Sequence, residues 1–206
     1  MITIINYGLG NIQSFVNVYK QLNIPVKVAT TKEELSGATK IILPGVGAFD
    51  HAMKLLDQSG LRILLNELVL NKKIPVLGIC VGMQMLAKSS EEGVLPGLGW
   101  IDGVVKKFNA AAIPYKPSLP HMGWNAIEPV MTGSLLQGLD HSSRFYFLHS
   151  YYFSCSSGEN VIATTTYGIT YASAVQSGNI IGVQFHPEKS HSNGIQVLHN
   201  FAKLNP

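Results

Sequence analysis

The chain is 206 residues long, 46% hydrophobic and only 13% charged, with a formal net charge of +3 at pH 7. That composition excludes a disordered chain, which needs low hydrophobicity and high net charge. It also excludes nucleic-acid binding by bulk charge, because +3 over this length is a weak field. The length suits one domain, residues 1–206, with a substantial core. The sparse charge is unevenly spread: residues 109 to 187 hold only Lys116, Glu128, Asp140, Arg144 and Glu159 as acidic or basic residues. So uncharged a stretch is expected to be buried or held against a partner.

In chain order, MITIINYGLGN sets no basic residue before its apolar run and soon reaches the polar Asn6. It reads as a buried first strand, ITIIN (2–6), rather than a signal peptide. NIQSFVNVYKQL (11–22) spaces Ile12, Phe15, Val16 and Tyr19 on one helical face. VKVA (26–29) is a second strand, TKEEL opens a short helix, and KIILP (40–44) is a third strand. LRILLNELVLN (61–71) has the pattern of an amphipathic helix. Arg62 and Glu67 interrupt this most apolar run, so no segment nears the ~18 residues of a membrane span. PVLGI (75–79) is a continuous apolar strand of the fully buried kind. This alternation predicts a mostly parallel central sheet with helices on both faces.

After about residue 98 the texture changes. WIDGVVKKF, RFYFLHSYYF, NVIATTTYG, YASAVQSG and NIIGVQF read as shorter strands between Gly, Asn and Ser turns, adding antiparallel pairs to the C-terminal half. SHSNGIQVLHNFAKL (190–204) is a closing helix. The expected architecture is one mixed α/β domain. Its two cysteines, Cys80 and Cys155, lie in unlike settings, which argues against a disulfide framework and for a cytoplasmic, thiol-reduced protein.

Ligands of such sheets gather at the carboxyl ends of the strands. Three strand ends carry unusual chemistry: LPGVG (43–47), GICVGMQ (78–84) and QFHPEKS (184–190). Cys80 follows a buried strand, precedes the helical pattern VGMQMLAKS, and is flanked by Gly78 and Gly82. Small neighbours permit the sharp turn of a nucleophile elbow. The start of a helix then favours a thiolate and offers backbone N–H groups to an oxyanion. The competing reading is a small buried cysteine at a strand end.

A thiolate needs a base and a group that orients the base. Of seven histidines, only His186 directly follows an apolar strand, with Pro187 after it and Glu188 two residues on. In extended chain those two side chains share a side, so the carboxylate can fix the ring tautomer and stabilise an imidazolium. A turn histidine beside an exposed glutamate is the alternative. Pro44, Gly45 and Gly47 leave backbone amides free in LPGVG, suiting an oxyanion or substrate-backbone strand, or else an ordinary strand–helix turn.

Together these elements resemble the class I glutamine amidotransferases, with GICVGMQ as nucleophile motif and HPE as base–acid pair. NYGLGN, ILPGVGAF, HMGWN, FYFLHSYY and FHPEKS are similar, more narrowly, to the glutaminase subunits of imidazole glycerol phosphate synthase, and the likeness covers essentially the whole chain. It implies hydrolysis of glutamine to glutamate and ammonia by a Cys80–His186–Glu188 triad. Backbone amides of Val46 and Val81 would hold the oxyanion. Gly45, Gly47, Gln84, His149, Ser150 and Tyr151 match glutamine-binding positions. Asn11, Trp124, Tyr146 and Lys189 match residues facing a (β/α)8 synthase partner, which receives the ammonia within a heterodimer and makes imidazole glycerol phosphate and aminoimidazole carboxamide ribotide for histidine biosynthesis. The resemblance implies no metal or organic cofactor, no nucleic acid and no membrane.

Blander readings remain beside these. Trp124 and Tyr146 also fit core aromatics, Gln84 a solvent-facing side chain, Lys189 a surface charge and His149 a satisfied core histidine. Cys155 has no base signature nearby and reads as structural. NYGLGN lacks the third glycine of a dinucleotide fingerprint. Residues 109–118 suggest no role. Rival functions are a paralogous glutaminase feeding amidation of a bacterial surface sugar, a cysteine peptidase on a related fold, and a non-catalytic binding subunit.

Overall fold

The computed structural model describes residues 1–114, 116, 118–131 and 134–204. The strands are β1 (Ile2–Ile5), β2 (Val26–Ala29), β3 (Ile41–Gly45), β4 (Val76–Cys80), β5 (Ser89–Ser90), β6 (Gly103–Lys107), β7 (His121–Ala126), β8 (Glu128–Pro129), β9 (Arg144–His149), β10 (Tyr151–Cys155), β11 (Val161–Tyr167), β12 (Ile169–Ser177) and β13 (Ile180–Val183). The helices are α1 (Ile12–Gln21), α2 (Lys32–Ser36), α3 (Phe49–Gln58), α4 (Arg62–Asn66), α5 (Val81–Gln84) and α6 (His191–Lys203).

Among the described residues the main sheet runs β2-β1-β3-β4-β13-β12-β10-β6-β5, with β11 also paired to β12 and β8 paired to β11. The first five strands of that order are parallel, and β12, β10 and β6 then alternate in direction. Every residue of β1, β3, β4 and β13 is buried. A strand buried at every position has both faces covered, so helices flank the parallel half on both sides. The buried apolar side chains form one cluster from Ile2 to Phe201. Among the described residues no helix is long and apolar enough to cross a membrane.

Local chemistry explains most boundaries. Asn11 caps α1 by accepting from the Ser14 N–H at 3.3 Å. Thr31 and Glu34 form a capping box at α2. The continuous helix expected over 61–71 instead passes from α4 into a π-helical segment, Glu67–Asn71. The carbonyls of Val69 and Ile74 both accept from the Asn179 side chain at 2.9 Å, so that turn is satisfied from outside itself. Helix α3 has no counterpart in the sequence expectations, although its buried Phe49, Ala52, Met53 and Leu56 carry helical spacing. The expected helix VGMQMLAKS is a single turn, Val81–Gln84.

RFYFLHSYYF, expected as one strand, divides at Ser150. β9 pairs with β7 in a separate two-stranded sheet, while β10 joins the main sheet between β12 and β6. At the break the Ser150 carbonyl accepts from the Phe108 N–H at 3.2 Å, extending the β10–β6 pairing by one residue, and the His149 ring bonds the Tyr151 carbonyl at 2.8 Å. Tyr115 and Pro117, within the unassigned segment 109–118, lie outside the described residues.

At the carboxyl ends of β3 and β4 the backbones meet without room for side chains. A Cβ added at Gly78 would sit 2.6 Å from Gly82 O; one at Gly82 would collide with Leu43 O, and one at Gly45 with Gly82 N. Backbone atoms cannot move aside as a flexible side chain can. Gly82→Ala is therefore expected to destabilise the protein by about 3 kcal/mol or more. Gly37→Ala, with nothing within 4 Å of its added Cβ, is expected to stay within about 0.5 kcal/mol. Urea unfolding of the two variants beside the parent measures the difference.

Candidate active site

Cys80 ends β4 with φ 56° and ψ −113°, the left-handed side of backbone space that a non-glycine residue adopts only under constraint. The constraint is the glycine-lined approach just described, which turns the chain sharply from β4 into α5. This is the strand–turn–helix geometry of a nucleophile elbow. Val81 opens α5, so its N–H has no acceptor within the helix. It lines a cavity of about 330 Å³ together with Val46, Gly47, Cys80, Gln84 and His186. Leu148, His149, Ser150, Tyr151, Glu92 and Lys189 contribute to the same cavity.

His186 follows β13, the parallel neighbour of β4, which brings the ring beside the sulfur. Its Nδ1–H donates to Glu188 Oε1 at 2.9 Å, and the ring lines the same cavity as Cys80. Both side chains of the His–Glu pair are at most 4% exposed. Burial by itself pushes the imidazole pKa down; the neighbouring Cys80 sulfur and the Glu188 carboxylate outweigh it and lift the pKa to about 10. Glu188 Oε2 is buried with no hydrogen-bond partner, so the ring is the carboxylate's outlet. Ser190 holds the turn to β9: its hydroxyl donates to the His186 carbonyl at 2.6 Å and accepts from the Tyr146 N–H at 3.0 Å.

Gln84 is buried, not solvent-facing. Its Nε2 donates to the Tyr151 carbonyl and to Gln184 Oε1, both at 3.1 Å. His149 is a satisfied buried histidine and a cavity-lining one at once. Because a carbonyl only accepts, its Nδ1–H donates to Tyr151 O, which leaves Nε2 to accept from the Tyr171 hydroxyl at 3.1 Å. Tyr171 in turn accepts from His121 Nδ1–H at 3.1 Å. Burial pushes His149 down to about 3 and His121 to about 4, consistent with this neutral chain. Tyr171, His121, Glu92, Leu148 and Gln184 were not singled out as site residues from sequence. Only Gln184, two residues before His186, carried a positional signal.

Gly45 does not line the cavity. It faces Cys80 in the β3–β4 register and permits the close approach to Gly82. Trp124, Tyr146 and Lys189 gather beside the cavity. Trp124 is 41% exposed and stacks on His191 at 5.0 Å, its edge meeting Tyr146 at 6.2 Å, so it is no core aromatic. Lys189 Nζ stands 5.6 Å from the Tyr146 ring centre. Asn11 is apart from this group, at the start of α1, which packs against the Pro187–Lys189 turn. Cys155 is free and half-buried, and burial lifts its thiol to about 11. Among the described residues no group of three or more His, Cys, Asp or Glu is placed to hold a metal ion.

The glutamine amidotransferase class-I family model matches residues 3–204. The chain is 56% identical to imidazole glycerol phosphate synthase subunit HisH of Bdellovibrio bacteriovorus over 99% of this chain and all of that one. It is 52% identical to the subunit of the same name from Leptospira interrogans, with the same coverage. A crystal structure of a glutamine amidotransferase matches 99% of this chain and 100% of its own with a TM-score of 0.74 at 21% identity. A chain in the structure of PurLQS from Thermotoga maritima matches at 0.71 and 14% identity, covering 97% and 96%. At those identities the solved structures speak for the fold, and the curated relatives narrow it further. A model spanning first strand to last helix, and relatives more than half identical along their whole length, assign this chain to the class-I glutamine amidotransferases, among their HisH-type members.

Proposed function

We propose that the chain is a glutaminase subunit of imidazole glycerol phosphate synthase, one domain of residues 1–206 working in the cytoplasm within a heterodimer. It hydrolyses glutamine to glutamate and ammonia and passes the ammonia to a (β/α)8 synthase subunit for histidine biosynthesis. The observation that carries this reading is the grouping of Cys80 with the hydrogen-bonded His186–Glu188 pair at a cavity sized for a small amino acid.

Cys80 Sγ attacks the side-chain amide carbon of glutamine, and the developing oxyanion takes hydrogen bonds from the backbone N–H groups of Val46 and Val81. One such donor is worth about 10²–10³ in rate. The His186 imidazolium, stabilised by Glu188, gives its proton to the leaving ammonia. Water, losing a proton to His186, then hydrolyses the thioester to glutamate and returns the sulfur. Gln84, Gly47 and the backbone of His149, Ser150 and Tyr151 hold the substrate, while Gly45 supports them from beneath.

The partner face is the rim of this cavity. Val46, Met122, Trp124 and Leu148 are exposed apolar side chains around Tyr146 and Lys189, and Asn11 adds a polar contact from α1. A cavity whose Val46 lip is open to solvent is completed by a subunit that covers it. The isolated chain is therefore expected to turn glutamine over slowly, and titrating in the purified barrel subunit should raise the rate at least tenfold. A rate independent of the barrel subunit would sink the covering role.

Two site predictions accompany it. Cys80→Ala is expected to abolish glutamine-dependent product formation by the complex while synthesis from added ammonium salts persists; loss of both, or of neither, would contradict the assignment. His186, raised from 6.5 to about 10, stabilises the fold through its charged pair fully below about pH 6.5. That contribution is lost as pH rises through about 10. Glu188→Gln removes the partner charge, so the ring's midpoint in an NMR titration should fall by at least a unit. A midpoint equal to the parent's would show that Glu188 does not hold the proton on His186.

A further inference from the structure

Gln184 lies outside the proposed triad and oxyanion strand, yet it joins two parts of the site. It is completely buried immediately after β13, and its backbone N–H donates to Ser173 O at 2.9 Å. The next residue, Phe185, is also fully buried and packs on Phe145 with ring centres 4.1 Å apart. The backbone that carries Gln184 is thus pinned on both sides, and only its amide orientation remains to be decided.

One carbonyl decides it. Tyr151 O can only accept, so the end of Gln84 that meets it must be Nε2. The same Nε2 meets the Gln184 amide at 3.1 Å, so the facing atom of Gln184 must be its acceptor, Oε1. Gln184 Nε2 is then left pointing at Cys80 Sγ, 3.9 Å away. A buried N–H against a neutral thiol at that distance is a weak bond; against a sulfur carrying negative charge it is a strong one. Both hydrogens of Gln84 are spent on Tyr151 and Gln184, so its Oε1 is the polar atom Gln84 has left for the cavity it lines.

We propose that Gln184 is a positioning residue with two separable duties: its Oε1 holds Gln84 with the acceptor turned to the substrate, and its Nε2 supports negative charge on the Cys80 sulfur. The inference rests on the glutaminase reading of the same site. It adds the coupling of substrate recognition to the nucleophile through one buried amide. Other titratable groups around the sulfur are His186 with Glu188 behind it, Tyr7 on the loop after β1, His149 and Tyr151 at the β9–β10 break, and Glu92 and Lys189 on the rim.

Two variants separate the duties. Gln184→Met keeps roughly the volume and removes both hydrogen bonds. Gln184→Glu keeps an acceptor for Gln84 and sets a carboxyl group, rather than an N–H donor, against the sulfur. Steady-state glutamine hydrolysis by the complex, and the rate of Cys80 alkylation by iodoacetamide at one fixed pH, are measured for each. Cys155 labelling, followed by mass spectrometry, serves as the internal reference for an intact fold. Gln184→Met is expected to raise KM for glutamine about fivefold and to slow turnover and alkylation about tenfold, factors in the range of single buried hydrogen bonds. Gln184→Glu is expected to keep KM within about twofold while kcat and alkylation fall at least tenfold. Parental KM, kcat and alkylation in both variants overturn the inference. So does a loss of activity that tracks faster Cys155 labelling with KM unchanged, since that is unfolding alone. The underlying reading fails separately, and visibly, if alkylation of Cys80 in the parent leaves glutamine hydrolysis intact.

Discussion

Three backbone segments, the ends of β3 and β4 and the start of α5, meet at Gly45, Gly78 and Gly82 with no space for a Cβ, and the site hangs on that meeting. It forces the chain to leave β4 through a positive φ at Cys80, a conformation that costs about 1–3 kcal/mol where the surroundings impose it. The side chain is thereby lifted out of the sheet instead of into the core beneath it. Because β13 lies parallel to β4 in register, with Val183 opposite Ile79, the turn after β13 comes out at the same height. His186 and Glu188 arrive beside the sulfur as a consequence of strand order.

A second constraint is polarity. Gln84, Gln184, His149 and His121 around the site are all buried, and a buried amide or ring must face a complementary atom. The Tyr151 carbonyl starts the ordering: it accepts from His149 Nδ1–H and from Gln84 Nε2. One branch runs through His149 and Tyr171 to His121, and the other through Gln84 and Gln184 to Cys80. Few orientations satisfy both branches, so the amides and tautomers are set by the fold and not by solvent. The two histidines on the first branch are held neutral by burial. His186 is instead lifted to about 10, because the Cys80 sulfur and the Glu188 carboxylate beside it outweigh its burial.

The shortage of charge between residues 109 and 187 has two sources. β11, β12 and β13 place much of that stretch in the core, where an unpaired charge would be costly. The remainder includes β7 and β9, whose Met122, Trp124 and Leu148 stay exposed beside the cavity. Exposed apolar side chains there, bordered by Arg144 and Lys189, suit contact with another protein more than contact with water.

By itself the sequence pointed to the mixed α/β class, to most of the strands and to a candidate chemistry. Apolar runs placed strands β1 to β4 to within a residue, because burial on both faces leaves a direct trace, while the helices between them were read less closely. The Gly-x-Cys-x-Gly run at a strand end and the His-Pro-Glu run after a second strand pointed to nucleophile, base and orienting acid, since those residue types in such settings have few structural uses. Other features had no local trace. The division of RFYFLHSYYF at Ser150 reflects the different partners of its two halves, β7 for one and β6 with β12 for the other. The burial of Gln84, the tautomer of His149 and the reach of Gln184 depend on which strands lie side by side. Helix α3 is different: its spacing was legible at Phe49, Ala52, Met53 and Leu56. Tertiary structure alone decided how the polar atoms face one another, because a hydrogen bond between residues a hundred positions apart, such as Gln84 and Gln184, leaves no pattern along the chain.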